Sequence, residues 1–359
     1  MQDISLDDSI CIFEKDNTGD VLLTWVFPSI DDTLRQVALN RTGLQSNRIN
    51  AQFSFSKYKN TWIYIYTTSI LAQKDKDPEL TVPDSIKRVV VYSICLFRNN
   101  FNPEKYAALS QIMSNIYLKL GDPSKLLECQ LRALNRGMFD VGPLGKFVDA
   151  DYDVRRSYLA TSIKDVIRLF GEEIILVWTA MMIKKRIVIY SDKLTSLLKV
   201  IRAIPLFVFH RQNWSLLRPF VTLDESELKD LTTAGVYVAG FTDASIKSRE
   251  ELYDILVDLN SKEVSVASHC KDQFSLGSIH KDVLKMLLAA LDDEEVSDQA
   301  VIKGLSNKVK DLLGKLDTLR VDNGEGKQVI TLENLQERKL PPGMDKFLFN
   351  VATAEGLNG

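Results

Sequence analysis

Between Glu172 and Val266 the spacing of apolar residues changes several times. An apolar helix is predicted over 173–183 and stops at Lys184, Lys185 and Arg186, and the β-branched run Ile187-Val188-Ile189-Tyr190 follows at once. The period switches there from helical to that of a strand buried on both faces. Leu194, Leu197, Leu198 and Ile201 predict a second amphipathic helix. Pro205 then introduces the apolar-aromatic run Leu206-Phe207-Val208-Phe209, which reads as another buried strand. Beyond a polar aromatic knot at 210–214, two further strands are predicted at 236–241 and 254–259. Helices and strands alternating this closely predict a mostly parallel sheet covered on both faces.

The first third has a different rhythm. Strands at 10–13 and 21–27 flank Asp16-Asn17-Thr18-Gly19-Asp20, whose residues tolerate positive φ and predict a hairpin turn. A short helix at 31–39, strands at 51–55 and 62–67, a polar loop at 72–87 and a strand at 89–96 complete an antiparallel set. Two helices follow, each with proline in its first turn after a capping residue, Asn102-Pro103 and Asp122-Pro123. In the first, Tyr106, Leu109, Met113, Ile116 and Leu120 form one apolar stripe. Residues 135–151, with Gly137, Gly142, Pro143 and Gly145, read as a linker. A helix lined by Val154, Tyr158, Leu159, Ile163, Val166, Ile167 and Phe170 opens the second lobe, and apolar stripes at 283–291 and 301–316 predict a helical tail. The acidic run Asp292-Asp293-Glu294-Glu295 between those stripes reads as a solvated loop.

Several of these stretches carry a family resemblance. "LVWTAMMIKKRIVIYSDKLTSLLKVIRAIPLFVF", "LLRPF", "YVAGF" and "YDILVDLNSKEV" resemble the central module of DENN-domain proteins. "NFNPEKYAA", "SYLATSIKDVI" and residues 209–214 resemble the short, single-DENN-domain members of the endosomal system. The resemblance covers nearly the whole chain. It implies an α/β (α+β) protein in four parts: a longin-like antiparallel sheet with helices at 1–135, a linker at 136–152, a mostly parallel α/β DENN lobe at 153–266 and a helical downstream module at 267–359.

Composition agrees with two lobes, since 359 residues exceed what one core usually holds. A net charge of −3 excludes wholesale nucleic-acid binding, which needs a net basic face. Residues 1–8 lack a basic segment leading into an apolar one, and the apolar runs stay short of the roughly 20 residues that cross a bilayer, so a cytoplasmic protein is expected. Cys11, Cys95, Cys129 and Cys270 are scattered and read as structural thiols.

Covalent chemistry finds no motif. Phosphate-binding G-x-x-x-x-G-K-[ST] and G-x-G-x-x-G loops and the G-x-S-x-G elbow are missing. Asp16 to Asp20 superficially resembles a calcium loop but lacks the glutamate at the twelfth position. His269 and His280 lack metal-ligand spacing, and His210, beside Arg211 and Trp214, reads as packed or capping. No cofactor or metal is expected.

The resemblance implies a regulatory exchange factor for a Rab-family GTPase, docked across the seam between the two lobes and recruited to late endosomes through its partners. Candidates for GTPase contact are Arg155 and Arg156 on the polar side of their helix, Lys57-Tyr58-Lys59 in the loop between the third and fourth strands, and Gln212 and Trp214 at the end of a buried strand. Each has a plainer reading as solvated or packed structure. Trp25 and Phe27, two apart on a strand, share one face and are candidates for partner docking if helices cover the other face. The alternative function is a non-catalytic adaptor on coiled-coil subunits of the Commander endosomal recycling assembly.

Overall fold

In a computed structural model describing residues 8–46, 51–322, 328–338, 340–341 and 343–358, the chain divides into two units, Met1–Ala160 and Thr161–Gly359. Strands β1 (Ile10–Asp16), β2 (Val21–Phe27), β3 (Phe53–Tyr58), β4 (Thr61–Ser69) and β5 (Val89–Arg98) form the first unit's sheet in the order β2-β1-β5-β4-β3, all antiparallel. The β1–β2 turn consumes the Asp16 carboxylate, whose Oδ1 accepts the amides of Thr18 at 2.9 Å and Asp20 at 3.0 Å. Helix α1 (Asp32–Thr42) starts where Asp31 accepts the Leu34 amide at 2.8 Å. It buries Leu34, Val37 and Ala38 against Cys11, Phe13, Cys95 and Phe97 on one sheet face.

The polar stretch 72–87 is not all loop, because Ser69 accepts the Ala72 amide at 3.3 Å and starts helix α2 (Ile70–Lys76). Helices α3 (Pro103–Leu120) and α4 (Pro123–Arg136) begin at their prolines, capped by Asn102 and Asp122. α3 covers the second sheet face: Tyr106 lies 4.4 Å from Tyr64 and Tyr117 lies 5.1 Å from Tyr92. Leu120, at the last residue of the stripe, is 47% exposed.

The stretch expected as a linker contains a hairpin, β6 (Met138–Asp140) and β7 (Lys146–Val148). Phe139 and Phe147 face each other across it, 5.6 Å apart and buried, so the glycine-rich segment is the turn between two anchored aromatics. The helix expected from Val154 to Phe170 is two, α5 (Val154–Leu159) and α6 (Ile163–Phe170), with Ser162 accepting the Asp165 amide at 3.0 Å to restart the second.

In the second unit, α7 (Ile174–Met182) leads into β8 (Ile187–Tyr190), then α8 (Leu194–Ile201), β9 (Leu217–Arg218), α9 (Glu225–Ala234), β10 (Val238–Phe241), β11 (Ile255–Asp258) and β12 (Glu263–Val266). The order is β12-β11-β8-β10-β9, parallel except for β12. β8, β10 and β11 are buried at every position, which is why their sequences are apolar without alternation. Gly240 is dictated by close approach, since a Cβ there would lie 2.3 Å from the Pro219 carbonyl. The run 206–209 is not a strand: it lies in a 3₁₀ helix, Ile204–Arg211, with Pro205 in its first turn. A short apolar run has no period to separate the two structures, and proline after Ile204 starts a helical turn.

The tail contains the two expected helices, α10 (Ser278–Asp292) and α11 (Asp298–Asp317), and beyond them a small hairpin, β13 (Val321–Asp322) with β14 (Gln328–Val329), and helices α12 (Leu332–Glu337) and α13 (Met344–Ala354). Polar contacts fasten it. Lys164 Nζ donates to the carbonyls of Asp293 at 2.9 Å and Val296 at 2.8 Å, and Asp298 accepts the Lys164 amide at 2.9 Å. Arg211 bonds to Glu355 at 2.9 Å through Nε and to the Met182 carbonyl at 2.7 Å, capping α7 while holding α13. Burial raises the Glu355 pKa, but hydrogen bonds from His210 and Arg211 outweigh it and bring it down to about 2. His210 thus has the packed role read from its neighbours.

His280 lies inside the second core, 5.8 Å from Trp178 and 4.4 Å from Phe347, with Nδ1 accepting the Gly277 amide at 3.0 Å. Burial pulls its pKa from 6.5 to about 4. A folded state that holds this ring neutral has its full advantage above pH 6.5 and loses it as pH falls toward 4, because the unfolded chain takes up the proton first. Between pH 6.5 and 5 the loss amounts to about 2 kcal/mol. Urea denaturation across that interval should show this slope in the wild type and little of it in His280→Asn, which keeps an acceptor for the Gly277 amide.

Candidate functional site

The loops leaving β8 and β11 open into a groove of about 750 Å³ bounded by α6 and α8. Carboxyl ends of parallel strands are where open α/β sheets place their sites, since the loops there are free to diverge. Both loops are polar: Ser191, Asp192 and Lys193 follow β8, and Asn260 and Lys262 follow β11. They are joined where the Asp192 amide donates to Asn260 Oδ1 at 3.4 Å. Asp258 stiffens the second loop by accepting the Asn260 amide at 2.9 Å and an ion pair from Lys247 at 2.5 Å.

On the opposite wall, Asp165 of α6 takes Lys199 Nζ at 2.8 Å and Arg168 at 3.2 Å. The hydrogen bond from Lys199 holds the Asp165 carboxyl below the usual carboxylate range, with Arg168 adding to the effect. Arg168, Lys193, Lys199 and Lys262 set four cations against Asp165 and Asp192, so the groove is net basic in a chain whose net charge is −3.

A second cluster lies at the opposite strand ends. Ligand atoms of Asp254, His269 and Cys270 fall within 4.8 Å of one another. Arg186 already occupies this cluster: it binds Asp254 through its amide at 2.8 Å, Nε at 3.3 Å and Nη2 at 2.8 Å, and Nη2 lies 3.2 Å from His269 Nε2. Burial, with the bond to Asp254, pushes the Cys270 thiol up to about 11. A fixed guanidinium and a protonated thiol make a clamp between β8 and β11 and a poor metal site.

The residues singled out from the sequence have diverse fates. Arg155 and Arg156 are exposed on α5, where Asp153 accepts the Arg155 amide at 2.9 Å. Lys57 and Tyr58 are not loop residues: they end β3 and are only 5% and 6% exposed, because that strand extends three residues past Phe55. Lys59, in the turn, is exposed. Gln212 is exposed in the left-handed region. Trp214 is 3% exposed, packed edge-on to Phe209 at 6.1 Å with Nε1 donating to the Arg202 carbonyl at 3.4 Å, so it offers no surface, and no strand ends at either residue. Trp25 and Phe27 do share a face but are half-buried, because helices cover both sides of their sheet.

None of these residues lines the groove. Its signal was legible as Ser-Asp-Lys directly after one buried strand and Asn-Ser-Lys one residue after another.

A five-stranded antiparallel unit with helices on both faces is followed along the chain by a mostly parallel unit with a helical tail. The family model described as "SPA: Stabilization of polarity axis" matches residues 160–268. The chain is 67% identical to DENN domain-containing protein 10 of Dictyostelium discoideum over 99% of both chains. It is 39% identical to that of Danio rerio over 97% of both, and 36% identical to that of Homo sapiens over 96% of this chain and 94% of the relative. The chain belongs to the DENN-domain family.

The clamp predicts two results. Asp254→Ala should cost about 3 kcal/mol in denaturant unfolding, since it strands a part-buried guanidinium. Zinc added to the wild type should leave the melting temperature unchanged.

Proposed function

We propose that the chain is a DENN-type guanine nucleotide exchange factor for a Rab-family GTPase in endosomal and vesicle trafficking, present in the cytoplasm and brought to late endosomal membranes by its partners. Family membership along the full length supports this reading. Among the described residues no helix is long and apolar enough to cross a membrane. The observation that carries it is the pair Arg155 and Arg156, adjacent, exposed and without an ion-pair partner among the described residues, a spot suited to an acidic protein surface.

Exchange makes and breaks no covalent bond. The factor must bind the empty GTPase more tightly than the loaded one, and linkage then weakens nucleotide binding by the same ratio. Equal affinity for both states accelerates nothing. Exposed Lys59 and Gln212 remain contact candidates; buried Lys57, Tyr58 and Trp214 do not. Release of a fluorescent guanine nucleotide from a panel of Rab proteins is the test. Acceleration by the wild type that falls about tenfold or more in Arg155→Glu/Arg156→Glu supports the reading; no acceleration of any Rab contradicts it.

A second reading, an adaptor docking on coiled-coil Commander subunits, is favoured by one feature. β2 is an edge strand of its sheet among the described residues, and a bulge at Thr24 shifts the register so that Leu22 pairs with Glu14, Trp25 with Ile12 and Phe27 with Ile10. The bulge brings Leu22, 61% exposed, onto the same face as Trp25 and Phe27. On this reading Trp25→Asp abolishes capture of a purified coiled-coil partner while leaving nucleotide release untouched. Undiminished capture by that variant would sink the adaptor surface.

A further inference from the structure

We propose that the groove at the carboxyl ends of β8 and β11 binds a ligand through a phosphomonoester. Its position is the first argument. From β8 the chain passes to β9 and β10 on one side, while β11, which turns back into β12, lies on the other. The outgoing connections diverge there and leave a crevice.

Backbone polarity is the second. α8 begins four residues after β8, and its cap residue Lys193 offers no side-chain acceptor to the first turn. Its leading N–H groups and the positive end of its dipole therefore face the crevice side of the strand, an arrangement that suits an anion. Ser191, 2% exposed, lines the groove beneath them; its Oγ accepts the Lys193 amide at 3.2 Å, and among the described residues nothing accepts its own proton.

Charge is the third. Lys193 and Lys262 come from the two different loops and make no ion pair or side-chain hydrogen bond among the described residues, and Arg168 and Lys199 share the single carboxylate of Asp165. Lys262 is held at φ 62, a conformation uncommon outside glycine and asparagine, at the end of the β11–β12 turn directly before β12. Four cations lining the groove, Lys193 at the start of α8, Lys199 in its last turn, Arg168 on α6 and Lys262 after β11, disfavour a metal ion or an apolar ligand, and the volume suits a small phosphorylated molecule or one lipid headgroup.

Calorimetric titration of the full chain with glycerol 3-phosphate and with a soluble inositol phosphate tests the free source. Flotation with phosphatidylcholine vesicles carrying phosphatidylinositol monophosphate tests the lipid source. Binding in either arm, weakened about tenfold by each of Lys193→Ala and Lys262→Ala, is the expected result. Asp165→Asn, which releases Arg168 and Lys199, should tighten it several-fold. Binding in neither arm, binding unaltered by the lysine variants, or equal flotation with phosphatidylserine vesicles would overturn the proposal. Rab nucleotide release is not part of the readout, so failure here leaves the exchange reading standing.

Discussion

The second unit depends on one constraint: β8 must be hydrogen-bonded along both edges and covered on both faces. Its four residues are buried throughout and pair with β10 and β11 in parallel. Parallel neighbours need crossover connections, so the chain on either side of β8 must supply the helices that cover it. Arg186, immediately before β8, is fixed to Asp254, immediately before β11, so the two strands start in register. With the starts pinned and the faces covered, the strands' carboxyl ends are where polar side chains first meet solvent, and the groove forms there.

The tail answers a related demand. Buried cations and carboxylates are tolerable only when paired and hydrogen-bonded. Arg211 meets this by joining the buried C-terminal carbonyl of α7 at Met182 to Glu355 behind α13, and Lys164 does so by donating to two carbonyls between α10 and α11. These contacts make the last helices part of the second unit's core, where Phe347 closes over Trp178 and His280.

Elements marked by local chemistry were legible in the sequence. The asparagine-proline and aspartate-proline starts of α3 and α4, the Asp16 turn and the unbroken apolar strands all report short-range physics. What depended on tertiary context was not. The run 206–209 is apolar enough for a strand and becomes 3₁₀ because Pro205 and the packing of α7 and α11 decide it. Residues 135–151 look open by glycine content, yet Phe139 and Phe147 anchor a hairpin. The candidate site suffered most, since burial decides which polar aromatic residues offer a surface. Tyr58 and Trp214 are spent inside their own units, whereas the arginine pair on α5 and the lysines after β8 and β11 remain exposed.

Differential affinity is the physical core of the exchange reading, and it is directly measurable. The dissociation constant of the chain should be determined for one responsive Rab in its nucleotide-free state and again in its GDP-loaded state. Tighter binding of the nucleotide-free form by at least about tenfold is the expected outcome; equal affinity for the two forms would contradict it.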